Sequence, residues 1–290
     1  MTGYVDLHCH GGGGHAFGDS DAGTRAAFAA HRAHGTSVTL ASLVSLPLEE
    51  LDRATDVIRV AMSHEPGIVG VHLEGPFLAK GRKGAHSETA LAIPAPHLVE
   101  EILEITGDVL RMVTIAPELP GALDAVQRFA SEGVIVAIGH TEADAALTAE
   151  AFVRGASLIT HGFNAMRGIT GREVGPVGAA VADPLAHIEL IADGIHVDPT
   201  LVRMVFAAAP GRVVLVTDAM AAAATIPGHY QLGDLDVEVE DGRAVIAGTD
   251  TLAGSTLTLD RAVDVCVAAG VPRELAEQAA TTVPARLLGM

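Results

Sequence analysis

Eight short apolar runs, rich in β-branched residues, alternate along this chain with Ala-rich amphipathic stretches. The runs are Tyr4–His8, Ser37–Val44, Ile68–Leu73, Arg111–Ile115, Val134–Ile138, Ser157–Thr160, His187–Ile191 and Val213–Thr217. Between them lie stretches with helical spacing, such as Thr24–His34, Leu48–His64, Pro120–Glu132, Glu142–Arg154 and Pro199–Ala208. A strand with one wet face alternates apolar and polar residues. These runs do not, so both of their faces must be covered, which is the condition of a parallel sheet with helical crossovers. Eight such strands close a (β/α)₈ barrel at about 250 residues. The rival architecture is a doubly wound open sheet, but no glycine-rich dinucleotide turn is followed here by its acidic partner. After the eighth run, Tyr230–Val239, the pair Asp241-Gly242 and Arg243–Ala247 predict a small β-hairpin with a tight turn. Leu257–Ala269 and Pro272–Leu288 predict two closing helices. No linker or low-complexity segment interrupts the 290 residues, so residues 1–290 are read as one barrel domain with a hairpin insertion.

Composition narrows the function. Lys plus Arg number 18 against 36 Asp plus Glu, a net charge of −18, which argues against binding nucleic acid or an anionic membrane surface. Aromatic residues make up 3% with no Trp, too few for base-stacking platforms. No apolar run reaches membrane length and no signal-peptide core precedes Asp6. The two cysteines, Cys9 and Cys266, form no metal spacing and no disulfide framework, so a reducing, cytoplasmic setting is expected. Against this background stand 14 His residues and only two Lys, Lys80 and Lys83.

In a parallel barrel the chemistry sits at the C-terminal ends of the strands. Strand one ends Asp6-Leu7-His8-Cys9-His10, and the period of two points His8 and His10 to the same side. Strand three ends in Glu74, strand five in His140, strand six in His161 and strand eight in Asp218. Each has a plain alternative: Glu74 a paired carboxylate, Asp218 a helix cap, His8 and His10 half-buried polar groups. Together they converge on one face, where unpaired imidazoles and carboxylates would be costly. Neutral imidazole and carboxylate are the ligands of a catalytic divalent metal such as Zn²⁺, which lowers the pKa of its water to about 7. Asp218 is then the expected general base. His15, His31, His34, His64, His97, His187 and His229 are expected at the surface.

The motifs DLHCHGGGG from Asp6, GVHLEGPFL from Gly70, KGAH from Lys83, IGHTEA from Ile138, FNAM from Phe163, ADGIHVDP from Ala192 and VTDAM from Val216 resemble those of the N-acetylglucosamine-6-phosphate deacetylases of the amidohydrolase superfamily. They run in family order over nearly the whole chain. The resemblance implies that Glu74, His140 and His161 hold the main metal, and that His8 and His10 hold a second ion with Glu74 bridging. It gives Zn²⁺ as the first choice, with Fe²⁺ or Mn²⁺ as alternatives and one or two ions per chain. It implies Asp218 as the catalytic acid/base, and His86 as a substrate contact that polarises the carbonyl. Asn164 and Ala165 match phosphate-binding backbone amides, Arg172 a phosphate-binding arginine that can come from a neighbouring subunit of a homodimer, and His196 a sugar contact. The substrate class implied is an amino-sugar phosphate. Hydantoinase-like relatives bridge two metals with a carboxylated lysine after strand four, but here that strand ends Thr114-Ile115-Ala116-Pro117-Glu118 and both lysines lie elsewhere.

Three departures bear on the reading. Family members carry a small β-sandwich built from segments flanking the barrel, and the resemblance implies that this chain lacks both, leaving a reduced homologue, a trimmed chain or a fragment open. Gly162 replaces the leucine of THLFNAM, loosening the backbone beside a ligand. The arginine loop reads ITGREVG, with Gly171 and Val174, and lacks the histidine that normally precedes the arginine. These changes keep two alternatives in play: a deacetylase for another N-acyl amino sugar, and an idle sugar-phosphate-binding homologue.

Overall fold

The computed structural model describes residues 3–290. Eight parallel strands form one sheet in sequential order: β1 (Tyr4–Cys9), β2 (Thr36–Leu43), β3 (Ile68–Glu74), β4 (Leu110–Ile115), β5 (Ile135–Ile138), β6 (Ala156–Ile159), β7 (His187–Leu190) and β8 (Val213–Leu215). The ring closes just beyond β8, where the Asp218 amide donates to the His8 carbonyl and the His10 amide to the Ala219 carbonyl, both at 2.8 Å. The strands are buried along nearly their whole length, as uninterrupted apolar runs require.

The outer layer consists of α1 (Asp21–Ala33), α2 (Leu48–His64), α3 (Pro96–Thr106), α4 (Ala122–Ser131), α5 (Ala145–Val153), α6 (Gly175–Ala182), α7 (Pro199–Ala208), α8 (Leu259–Ala268), α9 (Arg273–Ala280) and α10 (Thr282–Leu287). Local chemistry sets several starts. Ser20 Oγ accepts from the Gly23 amide at 3.1 Å, Asp144 from Leu147 at 2.9 Å and Asp198 from Thr200 at 2.7 Å, each satisfying an orphan helix donor. Proline opens α3 and α7 at the position where its missing N–H costs nothing.

The structure corrects four expectations. Tyr230–Val239 is not one strand: β9 (Gly228–Leu232) turns at Gly233-Asp234 into β10 (Leu235–Glu240), and β11 (Arg243–Ile246) completes a three-stranded antiparallel sheet. The Asp241-Gly242 turn stands as expected, with φ of 49° and 80°, the two left-handed residues of a type I′ loop. Pro272–Leu288 divides into α9 and α10 at Thr281, whose φ/ψ of −133°/−80° is not helical. His31 is not at the surface. It stands on the buried stripe Thr24, Ala27, Phe28 and His31 of α1, with Nε2 2.9 Å from the Gly11 carbonyl. His187 is also partly buried.

Phe129 of α4 is fully buried and faces Phe77 at a centroid distance of 6.4 Å. Phe129→Ala is expected to destabilise the fold by about 3–5 kcal/mol, read as a lowered urea midpoint. Cys9 and Cys266 are both free and buried. No helix of the described residues is long and apolar enough to cross a membrane.

Candidate metal centre

The barrel interior is layered by the period of two along each strand. One layer is polar but inert: His72 bonds Ser42 Oγ and Thr114 Oγ1, both at 2.9 Å, and Thr114 bonds Thr160 at 2.9 Å. Burial drives the His72 pKa well below the ordinary imidazole value, so this ring stays neutral. Beyond this layer, at and just past the strand ends, the next side chains converge.

Glu74 is at its centre. Its Oε1 lies 2.9 Å from His140 Nε2 and 2.9 Å from His161 Nε2, and those two nitrogens are 3.0 Å apart. Its Oε2 lies 3.2 Å from His10 Nε2 and 3.2 Å from His86 Nε2. His8 Nε2 is 3.1 Å from His10 Nε2 and 3.6 Å from Glu74 Oε1. Asp218 Oδ1 is 3.4 Å from Nε2 of both His8 and His10. One carboxylate thus faces two ligand sets, with Oε1 between His140, His161 and His8, and Oε2 beside His10.

The backbone pays for this convergence. His140, His161 and Asp218 have φ of 48°, 28° and 47°, the left-handed region that non-glycine residues avoid. Such strain costs of order 1–3 kcal/mol per residue and gathers at functional sites.

Ring tautomers can be read from the outer partners. The Arg82 carbonyl, 2.7 Å from His140 Nδ1, can only accept, so Nδ1 carries the proton and Nε2 turns a lone pair inward. His8 Nδ1 lies 3.2 Å from Glu189 Oε2, a carboxylate of β7 with no solvent exposure. The same oxygen accepts from the His161 backbone amide at 3.0 Å. His86 is oriented oppositely. The Ser45 backbone amide donates to its Nδ1 at 3.2 Å, so its proton sits on Nε2. Burial pushes the His86 pKa down to about 4, only partly offset by Glu74, so the ring is neutral near pH 7.

Lone pairs aimed at one another and at a carboxylate need a cation between them. Without one, protons fill that role: burial opposes a charge on His8, yet Asp218 and Glu74 outweigh it and hold its pKa well above normal. Burial likewise opposes ionisation of Asp218, but His8 and a hydrogen bond from His10 bring its pKa down to about 2. Nε2 and carboxylate oxygens, with outer partners fixing the tautomers of His8 and His140, form the donor set of a divalent metal.

The centre opens into a cavity of about 440 Å³ whose wall includes Arg82, His86, Asn164, Ala165, His196 and Asp218. His196 Nδ1 is 2.6 Å from Asp193 Oδ2, leaving Nε2 for the cavity. The Asn164 amide is already engaged, donating to the His161 carbonyl at 3.0 Å. Ala165, also left-handed with φ of 50°, has no backbone acceptor for its amide among the described residues. Arg172 does not reach the cavity of its own chain. Its loop is pinned by Thr170 Oγ1, which donates to the Glu173 carbonyl at 3.0 Å, and by Glu173, which accepts from the Ala145 and Gly175 amides; the guanidinium is left exposed. The cavity's own guanidinium is Arg82, held by Glu142 at 2.6 Å.

The model of the Amidohydrolase family matches residues 1–290. The chain belongs to the amidohydrolase family. Among relatives of this amidohydrolase, an N-acetylglucosamine-6-phosphate deacetylase of Bos taurus is 38% identical over 99% of this chain and 74% of its own length. An N-acetylgalactosamine-6-phosphate deacetylase of Escherichia coli O157:H7 is 35% identical over 99% of this chain and 77% of its own. A mutant N-acetyl-D-glucosamine-6-phosphate deacetylase from Mycobacterium smegmatis, solved in complex with N-acetyl-D-glucosamine-6-phosphate, superposes with a TM-score of 0.96 at 42% identity, covering 100% of this chain and 78% of that one. The present chain is a metal-dependent amidohydrolase. Of the residues singled out in its sequence, the structure brings His8, His10, Glu74, His86, His140, His161 and Asp218 into mutual contact, and leaves Arg172 apart. Glu189 and Ser45 were not foreseen. The signal for Glu189 was a lone acid inside the apolar run His187–Ile191.

Proposed function

We propose that this amidohydrolase hydrolyses the acetamide of N-acetylglucosamine 6-phosphate, yielding acetate and glucosamine 6-phosphate. The observation that carries the reading is one cavity in which a protonated His86 Nε2 and the Asp218 carboxylate flank the Glu74 cluster. Acetamide hydrolysis needs a donor to the carbonyl oxygen and a base that becomes the acid for the leaving amine. A bound divalent ion, Zn²⁺ first and Fe²⁺ or Mn²⁺ as alternatives, would polarise the carbonyl and activate water, with Glu74, His140 and His161 holding one ion and His8, His10 and Glu74 a second. Asp218 takes the water proton and returns it to nitrogen as the C–N bond breaks.

Sugar and phosphate contacts come from the cavity wall. His196 Nε2 accepts from a hydroxyl, and the Ala165 amide, with Asn164 beside it, meets the phosphate. Arg172 serves the phosphate in a neighbouring subunit's cavity, which requires a homodimer; Arg82 is the cation that each chain brings to its own. We read residues 1–290 as one folding domain of a cytoplasmic enzyme, in keeping with two buried free thiols, with no nucleic acid or membrane partner.

Metal-loaded protein is expected to release acetate from the phosphorylated sugar and much less from free N-acetylglucosamine. No acetate from the phosphosugar, with His140→Ala still binding zinc like the wild type, overturns the assignment. A preference for N-acetylgalactosamine 6-phosphate would select the second reading, which one relative's activity motivates. Asp193→Asn is expected to raise KM about tenfold with a smaller change in kcat. It weakens the charged hydrogen bond that orients His196 away from the reacting carbonyl, an interaction worth about 1.5–3 kcal/mol.

A further inference from the structure

Glu189 is the one carboxylate of the centre that faces no cavity. It sits in the middle of β7 with no solvent exposure. Its Oε2 accepts from His8 Nδ1 at 3.2 Å and from the His161 amide at 3.0 Å. Its Oε1 is buried with no hydrogen-bond partner, and no Lys or Arg is paired with it among the described residues. A carboxyl group with an unpartnered oxygen in such a place is costly unless what it does elsewhere compensates.

We propose that Glu189 is a positioning residue for the metal centre, acting on both ligand sets from behind. The Oε2 that accepts from the His161 amide is an acceptor toward His8 as well, so His8 must donate from Nδ1 and present its Nε2 lone pair to the side where His10, Glu74 and Asp218 converge. The same oxygen ties down the amide of His161, whose φ of 28° is strained, and so holds that ring against His140 and Glu74. The His8–His10 set depends on Glu189 more heavily. There the carboxylate sets which nitrogen of a ligand carries the proton, whereas at His161 it braces backbone alone.

This inference rests on the metal-centre reading and not on the substrate, so its test contains no sugar. Metal-free wild type, Glu189→Ala, Glu189→Gln and His10→Ala are titrated with Zn²⁺ against a chromophoric chelator, and melting temperatures are taken with and without zinc. Glu189→Ala is expected to weaken the ion that His10→Ala also weakens, by about 10–100-fold, the usual cost of losing such an outer partner. Glu189→Gln keeps an acceptor oxygen for both donors and is expected to bind within a few-fold of the wild type. If Glu189→Ala does not fold, Glu189→Asp replaces it: the charge stays, the oxygen is withdrawn by one methylene, and the same loss is expected. Wild-type zinc constants in the alanine or aspartate variant overturn the proposal. So does an equal fall in melting temperature with and without zinc, which marks a merely structural role.

Discussion

Replacing Glu74 with glutamine is expected to remove metal from both ligand sets at once and to lower kcat/KM on the proposed substrate by more than about four orders of magnitude. The reason is geometric. Oε1 lies 2.9 Å from His140 and His161 while Oε2 lies 3.2 Å from His10, so one residue supplies the negative charge on both sides. Glutamine keeps the shape and loses the charge, and its amide nitrogen turns a donor toward a site built for cations. Without metal the pKa of the attacking water rises from about 7 back to that of bulk water. His140→Ala and His10→Ala bracket this result, each expected to lose the ion of its own set first. Metal analysis checks the occupancy. Chelation provides a second readout: a ligand at 100 times its Kd stabilises by about 2.7 kcal/mol, so EDTA should lower the melting temperature of the wild type and leave that of Glu74→Gln unchanged.

Asp218→Asn is expected to lower kcat by about 10²–10⁴-fold while metal content and KM change far less. Asp218 stands left-handed at the end of the eighth strand, its amide hydrogen-bonded to the His8 carbonyl at 2.8 Å, so its position is held by backbone and survives the substitution. What the amide cannot do is accept the water proton and return it. Without a metal, His8 and a hydrogen bond from His10 bring the Asp218 pKa down to about 2, so the carboxylate is ionised in the neutral range. An exogenous carboxylate or a shifted pH should restore little activity, because the group lies buried within the cluster. A loss of metal equal to that of Glu74→Gln would show instead that Asp218 is chiefly a ligand.

Much of this molecule was legible as a string. The eight strands were visible because burial on both faces makes their runs mostly apolar. The ligands were visible because each stands where an apolar run stops. The signals that went unread were equally physical. His31 continues the i, i+3, i+4, i+7 spacing of Thr24, Ala27 and Phe28, which marks a buried face. Gly233-Asp234 carries the turn chemistry that splits Tyr230–Val239 into two strands. Glu189 is a charge in an apolar strand, which needs a partner that no local residue supplies. Arg172 lies in a glycine-containing loop directly after a ligand strand, which suggests a place at the cavity. The bonds between Thr170 and Glu173 turn it outward instead.

The inventory of the centre belongs to the sequence: four imidazoles and two carboxylates at the ends of five strands, with too few lysines for any other bridge. Which nitrogen of each ring faces inward belongs to the tertiary structure. His8 takes its tautomer from a carboxylate 181 residues away and His140 from a carbonyl 58 residues away, and His86 takes the opposite one from the Ser45 amide, 41 residues away. A histidine is equally able to bind metal through either nitrogen or to donate from one. Only the hydrogen-bond partner behind it chooses, and the closed barrel supplies that partner.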